Sequence, residues 1–252
     1  MAKQYAVKAS LPDWIQRAKN QTLTLSVYID SQIVTPTAGT FTLIDPSGTH
    51  IVDAAVVTIT DSVATYSLLS TQVPATMSIG EGWIEVWALT IDGIVTEFKR
   101  QAALCLTKLH PVVTDDDILE IHSTMDIVLE DQNNPTFQKW RDQAFNMIQR
   151  RLMRSGKYPY LILSPHALFD IHLFLTLHLI CMDATTEFEE GNWTKLSDKY
   201  RSMYEDQWKE LTLTYDYNKD GDIDGPDELS VPANPVIFLG GAPSYSRYLG
   251  RY

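Results

Sequence analysis

Hydrophobic and polar residues alternate in short stretches through the first 110 residues of the chain. Leu23, Leu25, Val27 and Ile29 are separated mainly by Thr and Ser, and this period of two is typical of a strand with one buried face. The alternation recurs in further candidate strands at Phe41–Leu43, Ile51–Val52, Val57–Ile59, Ala64–Leu68, Trp83–Ile91 and Ile94–Leu106. We therefore predict six or seven short β-strands in this half of the chain.

Turn-forming residues separate these candidate strands. Asp45-Pro46-Ser47-Gly48 favours a turn, and Asp92-Gly93 is the dipeptide of a tight hairpin because both residues tolerate positive φ. Short strands at regular spacing predict an antiparallel β-sandwich of immunoglobulin-like architecture over residues 1–110. The Cys…Trp…Cys signature of true immunoglobulin domains is absent, so the pattern supports the architecture alone.

The period changes to that of helices after His110-Pro111. Four helix starts are indicated, at Thr114-Asp115-Asp116-Asp117, Asn134-Pro135, Ser164-Pro165 and Asn192. We expect the first helix to end near Met125 and the third near Glu187. The third is apolar on nearly all sides, which predicts the central helix of a bundle. The fold class predicted is therefore α+β in two domains, with the helical domain at residues 113–228.

An extended arm is predicted at residues 229–252. This segment has no acidic residue, and its prolines and a Gly-Gly pair oppose a helix. Tyrosine and arginine dock well on partner surfaces, and the arm's candidate partner-binding residues are Tyr245, Arg247, Tyr248, Arg251 and Tyr252. We expect the arm to reach onto a neighbouring subunit; the alternative is a terminus without a fixed contact.

Charge is distributed unevenly along this acidic chain, which has a net charge of −12 and a sequence pI of about 4.8. Residues 1–112 hold 9 acids and 7 bases, whereas residues 113–252 hold 23 acids and 13 bases. This balance argues against nucleic-acid binding through phosphate neutralisation. The N-terminus lacks an apolar signal region, and the apolar run Ile171–Met182 is shorter than a membrane span. We expect no membrane partner, and Cys105 and Cys181 are interpreted as reduced, buried thiols.

The sharpest motif is an acidic loop that resembles EF-hand and dockerin-type calcium loops. Asp216, Asn218 and Asp220 stand at loop positions one, three and five, and Gly221 at position six allows the sharp turn. Position twelve is Asp, where a bidentate Glu is usual. The candidate ligands of a structural Ca²⁺ are Asp216, Asn218, Asp220, Asp222, Asp224, Asp227 and Glu228. The alternative is an acidic surface turn.

Other polar groups give no catalytic pattern. His166, His172 and His178 are six residues apart, so a helix turns neighbouring ones to different faces, and we interpret them as polar residues satisfied within the bundle. Arg150, Arg151 and Arg154 form the only basic concentration; they fit a solvated helix end, or contact with an acidic partner or phosphate. We expect that the chain is not an enzyme.

Several stretches of the second half form a recognisable series: Val113–Leu119, Phe137–Arg154, Gly156–Pro165, His172–Ile180 and Tyr200–Tyr215 with the Asp-rich loop. On these residues the second half resembles the helical head-to-tail connector (adaptor) proteins of tailed bacteriophages. Ser78-Ile-Gly-Glu-Gly-Trp83 looks like the β-domain that precedes this unit in some phage neck proteins. The resemblance implies a homo-oligomeric ring, typically dodecameric, between the portal protein and the tail or neck proteins. DNA would pass through its lumen without specific binding.

The leading hypothesis is thus a structural protein of the virion neck, assembled in the cytoplasm of the bacterial host. The runner-up is a calcium-stabilised extracellular β-sandwich for binding or adhesion, which conflicts with the missing signal region and the single loop where dockerins carry two. A third reading, an enzyme such as a hydrolase, requires converging titratable groups that the sequence does not offer.

Overall fold

The computed structural model describes residues 4–7, 11–131, 136–187, 192–213, 215 and 231–232 of the 252-residue chain. Two five-stranded sheets occupy the first part and helices the second, so the fold is α+β. The strands of the first part are β1 (Ala6–Val7), β2 (Asp13–Gln16), β3 (Gln21–Ile29), β4 (Gln32–Val34), β5 (Ala38–Ile44), β6 (His50–Val56), β7 (Thr58–Thr60), β8 (Val63–Leu68), β9 (Gly80–Ile91) and β10 (Ile94–Cys105).

The two sheets have different strand orders. One runs β1-β3-β8-β7, with β4 also paired to β3, and the other runs β2-β10-β9-β5-β6. Every pair is antiparallel except β2 with β10, which is parallel. The β9–β10 hairpin turns at Asp92 and Gly93, whose φ values of 52° and 78° are both positive. The hairpin predicted from this dipeptide is confirmed.

Aromatic and aliphatic residues from both sheets share one buried core. The alternating positions Leu23, Leu25 and Val27 of β3 are buried, as the period of two predicts. Phe41 of β5 lies 4.6 Å from the Tyr66 ring of the other sheet, measured between ring centroids, so aromatic packing joins the two sheets. This packing buries the apolar face of each sheet.

The short strand β2 was not predicted from the sequence. Its four residues pair in parallel with Ala102–Cys105 of β10. Because side chains alternate along a strand, Ile15 enters the core of the sheets while Trp14 enters the core of the helices. Trp14 Nε1 donates a hydrogen bond of 2.6 Å to Gln149 Oε1, which ties the sheet to a helix.

The helical part has five α-helices among the described residues. They are α1 (Asp115–Ile121), α2 (Asp126–Asp131), α3 (Gln138–Arg154), α4 (Phe169–Glu187) and α5 (Trp193–Glu210). Short 3₁₀ helices at Ser123–Met125, Pro159–Leu161 and Pro165–Leu168 connect them. The first predicted helix is therefore divided, because His122 adopts an extended conformation with φ −149°. The third begins with a 3₁₀ turn before α4.

Thr114 begins α1 as its sequence predicts. Its backbone N–H donates to Asp117 Oδ2 at 2.6 Å, and its hydroxyl accepts from the Asp117 N–H at 3.3 Å, which completes a capping box. Asp115, Asp116 and Asp117 all lie in the first turn, where the helix dipole favours negative charge. The interpretation of these acids as a helix start is confirmed.

Helix α4 lies at the centre of the helical part, in contact with α1, α3 and α5. The 21-residue segment Pro165–Thr185 is long and apolar enough to cross a membrane, but most of it is buried inside the protein. Core helices of globular proteins meet the same criteria, and its burial between other helices fits that role. After α5, Leu211 leads into β11 (Thr212–Leu213), which pairs antiparallel with β12 (Val231–Pro232).

Candidate functional site

The predicted calcium loop lies outside the described residues, and so does the predicted arm except for Val231–Pro232, which form β12. This applies to the candidate ligands from Asp216 to Glu228 and to the arm residues from Tyr245 to Tyr252. The pairing of Leu213 with Val231 brings the two ends of the intervening segment side by side. Within the described residues, no group of three or more His, Cys, Asp or Glu side chains is arranged to hold a metal ion.

The two histidines of α4 hydrogen-bond inside the helical part. His172 Nε2 lies 2.9 Å from the Arg141 carbonyl oxygen, so this nitrogen carries the proton and donates. Burial lowers the pKa of His172, which keeps its ring neutral at pH 7. His178 Nδ1 lies 2.9 Å from Ser197 Oγ. The interpretation as a satisfied polar group within the bundle is confirmed for His178, whereas His172 is bonded only through Nε2 and keeps a buried, unbonded Nδ1. For His166 the interpretation is wrong, because this side chain is exposed.

Both cysteines are buried and free, as predicted. Burial raises the pKa of Cys105 and of Cys181 to about 12, because a thiolate is poorly solvated among apolar neighbours. Both thiols therefore stay protonated and unreactive near neutral pH.

A buried ionic cluster joins three strands of the larger sheet. Glu85 of β9 is fully buried, and its Oε2 accepts hydrogen bonds from Arg100 Nε at 2.9 Å, Arg100 Nη2 at 2.6 Å and Trp87 Nε1 at 3.0 Å. Arg100 Nη2 also donates to Asp13 Oδ2 of β2 at 2.7 Å. Burial raises the pKa of Glu85, and the positive charge of Arg100 opposes this shift. The arrangement ties β2, β9 and β10 to one another.

Four of the chain's nine arginines meet at a groove between α3 and α5, with α4 as its floor. The groove has a volume of about 560 Å³. Its lining residues are Met147, Arg150, Arg151, Arg154, Leu175, His178, Arg201, Tyr204 and Glu205. We call this feature the arginine groove. The three arginines of α3 form a cluster already in the sequence, whereas Arg201 joins them only because α5 packs against α4.

Arg151 is held in place within the groove. Its Nη1 and Nη2 donate to the two carboxylate oxygens of Glu205 at 2.9 and 2.7 Å, the bidentate geometry that a guanidinium forms with a carboxylate. The Arg151 guanidinium lies 4.2 Å from the Trp208 ring centroid and 5.0 Å from that of Tyr204. The hydrogen bonds from Arg151 hold the pKa of Glu205 below its usual range. Arg151 and Glu205 thus form the fixed wall of the groove.

The other three arginines are exposed and available. Arg150 Nε donates to the Asn146 carbonyl oxygen of its own helix at 3.2 Å. The side chains of Arg154 and Arg201 form no hydrogen bond or ion pair with any residue that the structure describes. With one carboxylate against four guanidinium groups, the lining carries a net charge of +3. Such a surface suits a carboxylate-bearing or phosphate-bearing partner.

Comparisons with known proteins do not identify the chain. No protein-family model matches the sequence, and a search of curated proteins finds no significant match. The function is therefore argued from the residues of this chain.

Proposed function

We propose that the protein is a structural component of a tailed-bacteriophage virion that forms a ring-shaped head-to-tail connector between the portal and the tail. The observation that carries this proposal is the arginine groove. Exposed guanidinium groups on a chain of net charge −12 form a surface for binding an acidic protein partner. The chain's sequence resemblance to connector proteins implies a ring assembly, and in a ring such a surface would bind a neighbouring protein.

The finer architecture proposed is an immunoglobulin-like sandwich at residues 1–110 and a helical connector domain at residues 113–228. The core shared by the two sheets supports the first unit, and a second buried cluster centred on α4 supports the other. Trp14, Ala103 and Cys105 from the sheet belong to that second cluster. In the proposed architecture, β2 and β10 supply the contact between the two units.

The proposed ring is a homo-oligomer, a dodecamer in the resemblance, with DNA passing through its lumen. The acidity of the chain supports passage without binding, because basic walls would retain phosphates. The Tyr- and Arg-containing arm, residues 229–252, is proposed to lie on the adjacent subunit. The loop at residues 216–228 is proposed to bind one structural Ca²⁺ that fixes the direction in which the arm leaves.

Native mass measurement of the purified full-length chain tests the proposal. A closed ring of defined subunit number, visible by electron microscopy with an acidic lumen, is the expected result. A stable monomer at micromolar concentration would contradict the connector function. A ring with a basic lumen would contradict the argument that DNA passes without binding because the protein is acidic.

A further inference from the structure

We propose that the arginine groove of one copy binds an acidic face on α1 and α2 of the next copy. This inference rests on the proposed ring and names the contact that would hold neighbouring subunits together. We define the acidic face as the segment Asp115–Asp131. It is a different surface from the groove, so the contact is head-to-tail, and such heterologous contacts generate rings when the rotation closes.

The acidic face has the charge and the shape that the groove requires. Its 17 residues contain seven acids and neither Lys nor Arg. Two of these acids are already bonded within the copy, Asp115 to Arg141 and Asp117 to Thr114. Asp116, Glu120 and Asp126 are exposed. Ile121 and Ile127, each 48% exposed, stand among them as apolar anchors. Carboxylates next to exposed isoleucines complement a groove that presents guanidinium groups beside the partly exposed Met147.

The length of α3 separates the two surfaces within one copy. Asp115 forms an ion pair of 3.1 Å with Arg141, near the N-terminal end of α3, whereas Arg154 is the last residue of that helix. Thirteen residues of helix at about 1.5 Å each place these ends about 20 Å apart. The groove and the acidic face therefore pair most readily between copies.

The chemistry of the groove favours a carboxylate partner over nucleic acid. Arg151 and Glu205 already display the bidentate guanidinium–carboxylate geometry inside it. The lining carries four positive charges and one negative, so the rest of a −12 chain carries −15 and repels phosphates. The same chain therefore supplies carboxylates that can bind the groove. DNA is the competing ligand, and the experiment must exclude it.

Charge reversal on each surface gives the test. The groove variant is Arg154→Glu with Arg201→Glu, and the acidic-face variant is Asp116→Lys with Glu120→Lys. Each variant alone places like charges against each other, so we expect self-association at least about tenfold weaker than that of the wild type. An equimolar mixture restores a closed assembly in which the two variants alternate, with an even number of subunits. Native mass spectrometry reads both outcomes directly.

Matched controls separate the contact from bulk charge and from folding. Lys195→Glu with Lys199→Glu makes the same charge change at exposed positions of α5 outside the groove, and it retains assembly. Circular dichroism checks the fold of each variant, and the milder Arg154→Gln with Arg201→Gln variant gives an intermediate loss. Added salt weakens wild-type assembly, because exposed charge pairs are screened.

Four outcomes would overturn the inference. A groove variant that assembles like the wild type shows that the groove is not the contact, while the connector function stands. The second outcome is that the mixture of the two variants does not assemble, whereas a chain that carries all four substitutions assembles like the wild type. This result would show that the groove pairs with the acidic face of its own copy. Loss of DNA retention by the groove variant with unchanged assembly assigns the groove to nucleic acid. A monomeric wild type removes the proposed function and this contact together.

Discussion

His172 is a titratable side chain inside the helical core. Its ring lies with Nε2 bonded to the Arg141 carbonyl oxygen and with Nδ1 buried and unbonded. Phe145 packs beside it, with ring centroids 5.5 Å apart. Burial lowers the pKa of His172, because the charged ring would lose its hydration, and the nearby charge of Arg141 lowers it further. A proton on Nδ1 would also meet no described acceptor.

The stability of the protein should therefore fall as the pH drops below the ordinary histidine pKa of about 6.5. Below that pH, His172 binds a proton in the unfolded chain but stays neutral in the folded one. The free energy of unfolding therefore decreases by up to about 1.4 kcal/mol per pH unit. Urea denaturation between pH 7.5 and pH 5 measures the slope. His172→Gln should flatten it, whereas His166→Gln, at an exposed position, should leave it unchanged. Equal slopes in the wild type and His172→Gln would contradict the assignment.

Glu85 illustrates what residue-level sequence reading misses. Strand β9 alternates Trp83, Glu85, Trp87 and Leu89 on its buried side, so the acid falls in register with large apolar residues. The signal was present in the alternation, but a lone acid in a strand is usually a solvent-facing residue. Only the positions of Arg100 and Asp13 on two neighbouring strands explain why it is tolerated.

At the scale of elements, that ionic cluster stabilises the order β2-β10-β9. Glu85→Ala leaves Arg100 with Asp13 alone and leaves the Trp87 N–H without its acceptor. We expect a loss of about 3 kcal/mol or more in the free energy of unfolding, because half of a buried ion pair is removed. Chemical denaturation measures it. The control Glu97→Ala, at an exposed position of β10, should change stability by less than about 0.5 kcal/mol. Comparable losses in both variants would disprove the role of the cluster.

Elements with strong local patterns were predictable, and elements defined by distant partners were not. The alternation of β3, the Asp92-Gly93 hairpin and the apolar helix α4 all follow from local sequence. Strand β2 did not, because its pairing partner lies almost 90 residues further along the chain. The division between α1 and α2 was not predicted either, because histidine at position 122 is not a residue type that ends helices.

The arginine groove shows the same limit for the site. Arg150, Arg151 and Arg154 are visible as a cluster in the sequence, and their place at the end of α3 fits the helix dipole. Arg201 is about 50 residues away and reaches the groove only through the packing of α5 on α4. The sequence therefore predicts the arginines on the α3 side of the groove, and the packing of α5 adds the other side.

At the scale of the whole molecule, calcium should stabilise the protein if the loop at residues 216–228 holds the ion. At 100 times the dissociation constant, binding adds about 2.7 kcal/mol, which raises the melting temperature by several degrees. Thermal melts with and without excess calcium measure this, with magnesium as the comparison ion. The variant Asp216→Ala with Asp220→Ala should lose the response and impair assembly. An unchanged wild-type melting temperature, or unaltered assembly of the variant, would contradict the loop's proposed role.

The parallel pairing of β2 with β10 has a mechanical consequence. β2 is the first strand of the larger sheet along the chain, and β10 is the last and leads directly into the helical part. Because they run in the same direction, a pull that separates the start of β2 from the end of β10 acts along the strands. Such shear loads all four residue pairs at once, whereas peeling would break them singly. The short strand therefore makes the sheets resist tension along this line.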